Sequence, residues 1–398
     1  MGDRKGAIEG KARNGRSSSA AGRLLAIPRD LATFLGSHGY LNAGRGTAST
    51  AASLGIALLC LLAVLAFHFP QYLTTPLLRQ QYSVDVLRSL LLACLLVSGG
   101  LALANVVLDR HRNLNIAAFL MVLAAVALGG ANVAVGDFPA DTPYIGLDWF
   151  ILDLLGSTLV FVVLEKCFPL YPGQPVFRAD WQTDLAYFGL NHLLVGVVLL
   201  TVNFLVHHLF GWSAGISLQR WVAGIPFVPQ LLLCILVADL AQYAAHRAYH
   251  RVPWLWRFHA VHHSIETMDW LAGSRLHVFE QIATRVAVLG ALYVAGFGKT
   301  VLDAYIIVVG FHAVLNHSNL RLPWGPLAWV IVTPDFHHWH HASDRQALDR
   351  NYAAHFSFLD HLFGTAVPRQ KGFPAQYGVV GGGVPRGLLR QFLYPFGR

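Results

Sequence analysis

The sequence has few charged residues, and this shortage restricts the class of protein. Only 13% of its 398 residues are Asp, Glu, Lys or Arg, whereas soluble domains carry roughly 25%. Hydrophobic residues make up 55% of the chain. A lipid-facing surface accounts for this balance, so the composition indicates a membrane protein rather than two soluble domains.

Cysteine is also scarce. Four cysteines are present, and no two of them form a CxxC pair; they are Cys60, Cys94, Cys167 and Cys234. They lie within or beside apolar runs, which is typical of small buried side chains. The pattern argues against a disulfide framework and against a zinc or iron–sulfur centre bound by thiolates.

The net charge of +8 does not indicate nucleic-acid binding, because no Lys/Arg stripe is interleaved with aromatic residues. Eight of the basic residues stand in a polar, Ser/Gly/Ala-rich segment over 1–50, which is typical of a disordered tail. This segment lacks the layout of a signal peptide, and an organellar transit peptide stays open as an alternative.

Apolar runs long enough to cross a bilayer follow the tail. We expect spans near 53–69, 90–108, 116–135, 145–164, 185–210 and 229–247. A helical hairpin over 278–315 follows, and its first arm carries charge and need not cross the whole bilayer. The alternation of basic loops places the tail, 248–277 and everything after about 318 in the cytosol. The expected fold class is therefore all-α, a polytopic membrane bundle with a cytosolic helical cap.

Histidine is the residue that stands out, since fourteen of the twenty lie between His246 and His361. Eight of them form one H-x3-H group and two H-x2-HH groups, whose members share a helix face. These eight are His246 and His250, then His259, His262 and His263, then His337, His340 and His341.

Eight imidazoles packed together without metal would repel one another when protonated and leave nitrogens unpaired when buried. Bound metal removes both costs. Imidazole suits zinc, copper, iron and nickel, and eight histidines exceed the needs of one ion. The pattern therefore predicts two ions, and a redox metal beside lipid favours oxygen chemistry on an apolar substrate.

At these residues the sequence resembles the fatty acid hydroxylase / sterol desaturase superfamily of membrane di-iron enzymes. The three histidine groups stand in the family's order. The stretch from HSNLRLPW through TPDFHHWHH to NYAAHFSFLDHLFGT is especially close. The family's Arg-x-His segment appears as SRLHVFE, which carries His277 and Glu280. The resemblance covers roughly 180–370.

The resemblance implies two iron ions per chain and O2-dependent hydroxylation or desaturation of a membrane lipid. It also implies an external electron donor, a ferredoxin or a cytochrome b5-like protein, because no HPGG-type haem segment and no GxGxxG after a strand are evident. Family members place a histidine at the position of His317, which joins the expected ligands. His277 and His312 are further candidates, whereas His338, His355 and His361 are not expected to bind metal.

Asp239 stands two helical turns before His246, inside a span where a carboxylate is costly and usually functional. We expect it to accept an N–H from His246 or His250, or to orient a neighbouring ligand. A buried hydrogen-bond partner for Arg or Tyr is the alternative.

The chain is thus expected to comprise a tail (1–50), an extra transmembrane module outside the resemblance (51–140), a catalytic domain (141–370) and a C-terminal cytosolic tail (371–398). Two other functions stay open, a histidine-based metal transporter and a haem-binding membrane subunit. Against the first, the histidines follow the spans instead of lying at the midplane. Against the second, two ligands per haem would leave most of them unused.

Overall fold

The computed structural model describes residues 47–79, 81, 83–108, 111–136, 144–368 and 373–397. These residues form helices and loops without a β-strand, and two isolated antiparallel bridges join Pro169 to Leu320 and Ala342 to Tyr377. The all-α fold class is confirmed. The basic tail expected over 1–50 lies outside the described residues except for its last four.

The described α-helices follow one another with short connections in most places. They are α1 (Thr47–His68), α2 (Pro70–Leu73), α3 (Pro76–Arg79), α4 (Val84–Val107), α5 (Arg112–Ala127), α6 (Leu147–Cys167), α7 (Trp181–Leu193), α8 (Val195–Phe210), α9 (Ser217–Ala223), α10 (Phe227–Arg251), α11 (Pro253–His263), α12 (Val278–Ala295), α13 (Lys299–His317), α14 (Pro334–His340), α15 (Ser357–Leu362) and α16 (Leu388–Leu393). Short 3-10 helices lie at Gly130–Asn132, Gly211–Ser213, Ala272–Ser274, Gly325–Trp329 and Tyr394–Phe396.

Eight helical segments of the described chain are long and apolar enough to cross a membrane, and they make this an integral, multi-pass membrane protein. They are α1, α4, α5 with the turn after it, α6, α8, α10, α12 and α13. The first arm of the predicted hairpin, α12, is among them.

The span predicted near 185–210 is wrong in one respect, because the chain forms two helices there. The shorter one, α7, is not among the candidate spans. Its polar side chains have partners elsewhere in the chain: Asp184 binds Arg178 and Arg275, and Asn191 donates to the carbonyl of Ser274. These buried polar contacts anchor α7 beside the loop before α12, and α8 alone supplies the span.

The first three long helices, α1, α4 and α5, pack around a hydrophobic core made of their own residues and Val133. Polar side chains are buried within this bundle. Ser53 and Asn105 both donate to Oδ1 of Asn115, at 2.8 and 3.2 Å. Interhelical hydrogen bonds of this kind stabilise helix association in lipid. This self-contained core supports our proposal that 51–140 is a separate membrane module.

A sharp turn between α10 and α11 positions the histidines. Pro253 is the first residue of α11; it lacks an N–H and disfavours helical geometry at the residue before it, so α10 ends at Arg251. The chain then folds back, and α11 packs against the end of α10. This turn brings the second histidine group of the sequence against the first.

Candidate metal centre

Nine histidines from four helices converge where α10, α11, α13 and α14 meet. Ring nitrogens, one from each residue, lie within 4.8 Å of one another in each of two groups. The first histidine group is His246, His250, His259, His263 and His340, and the second histidine group is His262, His317, His337 and His341. The structure thus brings together all eight box histidines and His317.

Each H-x2-HH motif is divided between the two groups. On α11, His259 and His263 are four residues apart and belong to the first group, while His262 belongs to the second. On α14 the division is reversed, because His340 joins the first group. Three histidines within five residues therefore contribute to both groups.

Hydrogen bonds at Nδ1 fix the orientation of most of these rings. Three of the Nδ1–H groups outside α10 donate to backbone carbonyls, His262 to Arg275, His317 to Ala313 and His340 to Arg350, at 3.2, 2.8 and 2.7 Å. On α10, His246 donates to the carbonyl of Tyr352 at 2.7 Å and His250 to the carboxylate of Asp349 at 3.3 Å. A ring that donates through Nδ1 presents an unprotonated Nε2 to the interior of its group.

These unprotonated Nε2 atoms face one another at short range. In the first group, the Nε2 atoms of His246 and His259 are 3.1 Å apart. In the second, Nε2 of His317 lies 3.3 Å from that of His262. Nε2 of His337, whose Nδ1 has no acceptor among the described residues, lies 3.0 Å from Nε2 of His317. Lone pairs at such distances repel unless a cation lies between them. Imidazole nitrogens bind zinc at about 2.0–2.1 Å, so two nitrogens that share one ion of this size lie roughly 3.0–3.4 Å apart. The donor sets therefore fit a metal ion in each group.

Several ring nitrogens are buried without any hydrogen-bond partner among the described residues. They are Nε2 of His250 and His340, Nδ1 of His337, and both nitrogens of His341. A buried polar atom left unpaired costs free energy. Coordination of a metal ion would satisfy the inward-facing nitrogens.

Burial keeps the cap histidines neutral. Loss of hydration, followed by the charge of neighbouring imidazoles, holds the pKa of His263 and His341 well below the usual range. The same causes lower the pKa of His259, His262, His337 and His340. Since neutral imidazole is the form that binds metal, the site is prepared for coordination at neutral pH.

Glu280 contacts the first histidine group, a role that was not assigned to it from the sequence. Its Oε1 accepts a hydrogen bond from Nδ1 of His259 at 2.6 Å, and the side chain is only 5% exposed. A carboxylate behind a histidine raises the basicity of that ligand and fixes its ring. The sequence contained a signal for this role. A carboxylate in the first turn of an apolar helix costs free energy and is usually kept for a function.

Asp239 does not bond to a histidine ring. Its carboxylate accepts three backbone N–H groups, from Ala354, His355 and Phe356, at 2.8, 3.1 and 2.6 Å. The same loop contains Tyr352, whose carbonyl accepts from His246. Asp239 therefore acts on His246 through the loop. Among the described residues, neither the expected histidine contact nor an Arg or Tyr partner of Asp239 is found.

His277 and His312, the two further candidates, lie outside both groups, so the structure does not support them as ligands. His277 precedes α12, where Nδ1 accepts from the N–H of Phe279 and Nε2 donates to the carbonyl of Phe392. His312 donates through Nε2 to the carbonyl of Val332 at 2.8 Å. His312 and His317 lie on different faces of α13, and only His317 faces the two histidine groups.

His338 is buried, yet it also lies outside the groups. Its Nδ1 accepts from the hydroxyl of Tyr377 at 2.7 Å, and its Nε2 donates to the carbonyl of Ser318 at 3.1 Å. Both ring nitrogens are thus occupied by hydrogen bonds.

A close approach beside the second group requires glycine. A Cβ on Gly273 would lie 2.8 Å from Nδ1 of His317, closer than real Cβ atoms come. The 3-10 turn at Ala272–Ser274 therefore supports the ring of His317 directly.

Comparison with known proteins agrees with this geometry. Residues 231–365 match the fatty acid hydroxylase family model. An ornithine lipid hydroxylase of Rhizobium tropici is 30% identical over 293 residues, which are 69% of this chain and 82% of that protein. A cholesterol 25-hydroxylase of Rattus norvegicus is 28% identical over 253 residues, 59% of this chain and 80% of that protein. An alkylglycerol monooxygenase of Caenorhabditis elegans is 25% identical over 149 residues, 37% of this chain and 29% of that protein. No solved structure matches the chain.

Proposed function

Because this chain belongs to the fatty acid hydroxylase family, we propose that it uses O2 to oxidise a C–H bond of a membrane lipid at a non-haem centre of two iron ions. The observation that carries the proposal is the pair of histidine groups whose unprotonated Nε2 atoms face one another at 3.1 Å in the first group and 3.3 Å in the second. Iron bound there would supply the activation of O2, which no side chain can perform alone.

The chain's own residues would hold the metals and exclude water. Five imidazoles of the first group and four of the second are the proposed ligands. Eight of the nine residues are buried, so bulk water has little access to the reacting centre. The carbonyl of Tyr352 and the carboxylate of Glu280 would keep the Nδ1 protons of His246 and His259 in place.

The proposed substrate is a lipid that enters from the bilayer. The relatives are named for an ornithine lipid, cholesterol and an alkylglycerol, which share a hydrocarbon portion that lies in a membrane. Both histidine groups include residues at the ends of membrane-spanning helices, His246 and His250 on α10 and His317 on α13. This position at the end of the spans suits a hydrocarbon that is held at one edge of the membrane. By the positive-inside rule, we place this edge and the N-terminus on the cytosolic side.

Metal analysis and lipid analysis together test the proposal. We expect purified protein to contain two iron ions per chain and to show no haem Soret band. Cells that express the protein should accumulate a lipid 16 Da heavier than its precursor (hydroxylation) or 2 Da lighter (desaturation). The His262→Ala variant should insert into the membrane but give no product.

The matched control is His361→Ala, which removes an exposed cap histidine outside both groups. It should retain iron and activity. A haem spectrum, a protein without tightly bound metal, or full activity of His262→Ala would overturn the proposal.

A further inference from the structure

The proposed reaction needs electrons from outside the metal centre. Insertion of one oxygen atom of O2 into a C–H bond consumes two electrons and two protons and releases one water. The sequence has no cysteine pair to hold an iron–sulfur centre of its own. The inference below rests on the proposed function and concerns where these electrons enter.

The first histidine group comes nearest to solvent at His250. Its ring is itself buried, with 4% of the side chain exposed, so the approach to solvent runs through its hydrogen-bond partner. Its Nδ1 donates to Asp349, whose side chain is 47% exposed. The Nδ1 acceptors identified for other ligands are backbone carbonyls and the buried Glu280. One exposed carboxylate therefore separates the His250 ring from the aqueous surface.

Two aromatic side chains lie against the same edge of the group. The ring of Tyr352 is 5.2 Å from that of His250 and 5.7 Å from that of His246. The ring of Trp256 is 5.1 Å from that of His250 and 5.3 Å from that of His263. Aromatic rings in contact with the ligands give a short route for electrons from the surface at His250.

The surface over this edge is basic. Arg247 and Arg251 are exposed and stand four residues apart on α10, each directly following a ligand. Burial raises the pKa of the Tyr352 hydroxyl to about 12, and the positive charges of Arg251 and Arg247 oppose this rise. Arg345, in the segment that leads to Asp349, is exposed as well.

We propose that the surface formed by Arg247, Arg251 and Asp349 is the docking site of an acidic one-electron redox protein, which delivers electrons at the His250 edge of the first histidine group. Positive charge beside a redox centre steers an acidic partner to that point and fixes its orientation. Two successive one-electron transfers complete the two-electron requirement.

Charge reversal tests the docking site. The variant is Arg247→Glu with Arg251→Glu. The control is Arg386→Glu with Arg390→Glu, which makes the same charge change at two exposed positions with the same spacing in the C-terminal segment. The probe is an acidic [2Fe–2S] ferredoxin, and each protein is embedded in nanodiscs of neutral lipid. Three quantities are measured: the affinity for oxidised ferredoxin at low and high salt, the anaerobic rate at which reduced ferredoxin is oxidised, and the iron content.

We expect the Arg247/Arg251 variant to bind ferredoxin at least tenfold more weakly at low salt and to oxidise it at least tenfold more slowly. Iron content should be unchanged, and the control should match the parent protein. High salt should weaken binding by the parent protein and remove the difference between the variants.

A chemical reductant, dithionite with methyl viologen, separates this inference from the proposed function. Product formation with this reductant should be equal in the parent protein and the Arg247/Arg251 variant. No product from the parent protein under these conditions would refute the proposed function, whereas the binding measurements would still decide the docking site. Equal loss of activity with both reductants, which would indicate a role in lipid binding or folding, overturns the docking site. Unchanged ferredoxin affinity also overturns it.

Discussion

At the scale of single residues, the site depends on which nitrogen of each histidine carries the proton. Carbonyl and carboxylate acceptors hold the proton on Nδ1, and Nε2 is left free for metal. Among these acceptors Glu280 is a side chain that is itself buried. It is therefore the acceptor that can be removed by mutation with the least change to the backbone.

Glu280→Ala should lower the iron content from two ions per chain toward one, because the Nδ1–H of His259 loses its acceptor in the first histidine group. Loss of a carboxylate behind a metal-binding histidine reduces metal affinity about 10–100-fold. Glu280→Gln, which keeps an acceptor oxygen but not the charge, should give an intermediate loss. Iron content against free iron concentration measures both effects.

The matched control for Glu280 is Glu266→Ala, which removes an exposed carboxylate of the cap that pairs with Arg386 at 3.1 Å. It should bind two iron ions with the affinity of the parent protein. If Glu280→Ala kept both ions at the same affinity, the hydrogen bond to His259 would have no part in metal binding.

At the scale of structural elements, two carboxylates hold the loop between α14 and α15, one on α10 and one on α15. Asp239 accepts the N–H groups of residues 354–356, and Asp360 accepts those of Tyr352 and Ala353. This loop supplies the carbonyl that orients His246 and the ring of Tyr352 that contacts the site. The position of the loop therefore affects the geometry of the first histidine group.

Asp239→Ala should destabilise the protein strongly, because three backbone N–H groups would be left without an acceptor. Each such group costs about 1–3 kcal/mol. We expect a large fall in the unfolding temperature in detergent and a loss of iron from the first group. As a control, Asp303→Ala removes an exposed carboxylate of α13 that pairs with Lys299, and such surface pairs contribute about 0–1 kcal/mol. Equal unfolding temperatures for the two variants would contradict this role of Asp239.

At the scale of the whole molecule, the concentration of buried histidines makes stability depend on pH. Burial and neighbouring imidazoles hold the pKa of the cap histidines of both groups well below the usual value of about 6.5. The unfolded chain therefore takes up protons that the folded chain cannot accept. By linkage, this stability is fully present above about pH 6.5 and is lost as the pH falls below it.

The unfolding temperature of chelator-treated protein should accordingly fall steeply between about pH 6.5 and about pH 5. Bound iron should also be released as the pH falls, because protons compete with metal for imidazole. Calorimetry or a thermal-shift assay in detergent measures the first effect.

The double variant His207→Ala with His208→Ala, which removes two exposed histidines, should retain the pH dependence of the unfolding temperature, and His341→Ala should weaken it. An unfolding temperature that stays constant over this range would refute the linkage.

Sequence alone was sufficient for features that depend on local periodicity. Hydropathy runs predicted the membrane-spanning helices, with the one error near 185–210, where the polar side chains of α7 have partners outside that helix. Helical spacing selected the eight box histidines, and the resemblance added His317. These signals are readable because residues three and four apart share a helix face whatever surrounds the helix.

Only the tertiary structure decided which residues serve which site. His340 meets His246, 94 residues earlier in the chain, while its neighbour His341 joins the other group. Glu280 contacts His259, and His277 and His312 lie outside both groups, because of how α11, α12 and α13 pack. The composition and spacing of the chain therefore determined a helical membrane protein with a histidine cluster. The division of that cluster into two groups, and its one edge near solvent, came from long-range packing that no local pattern encodes.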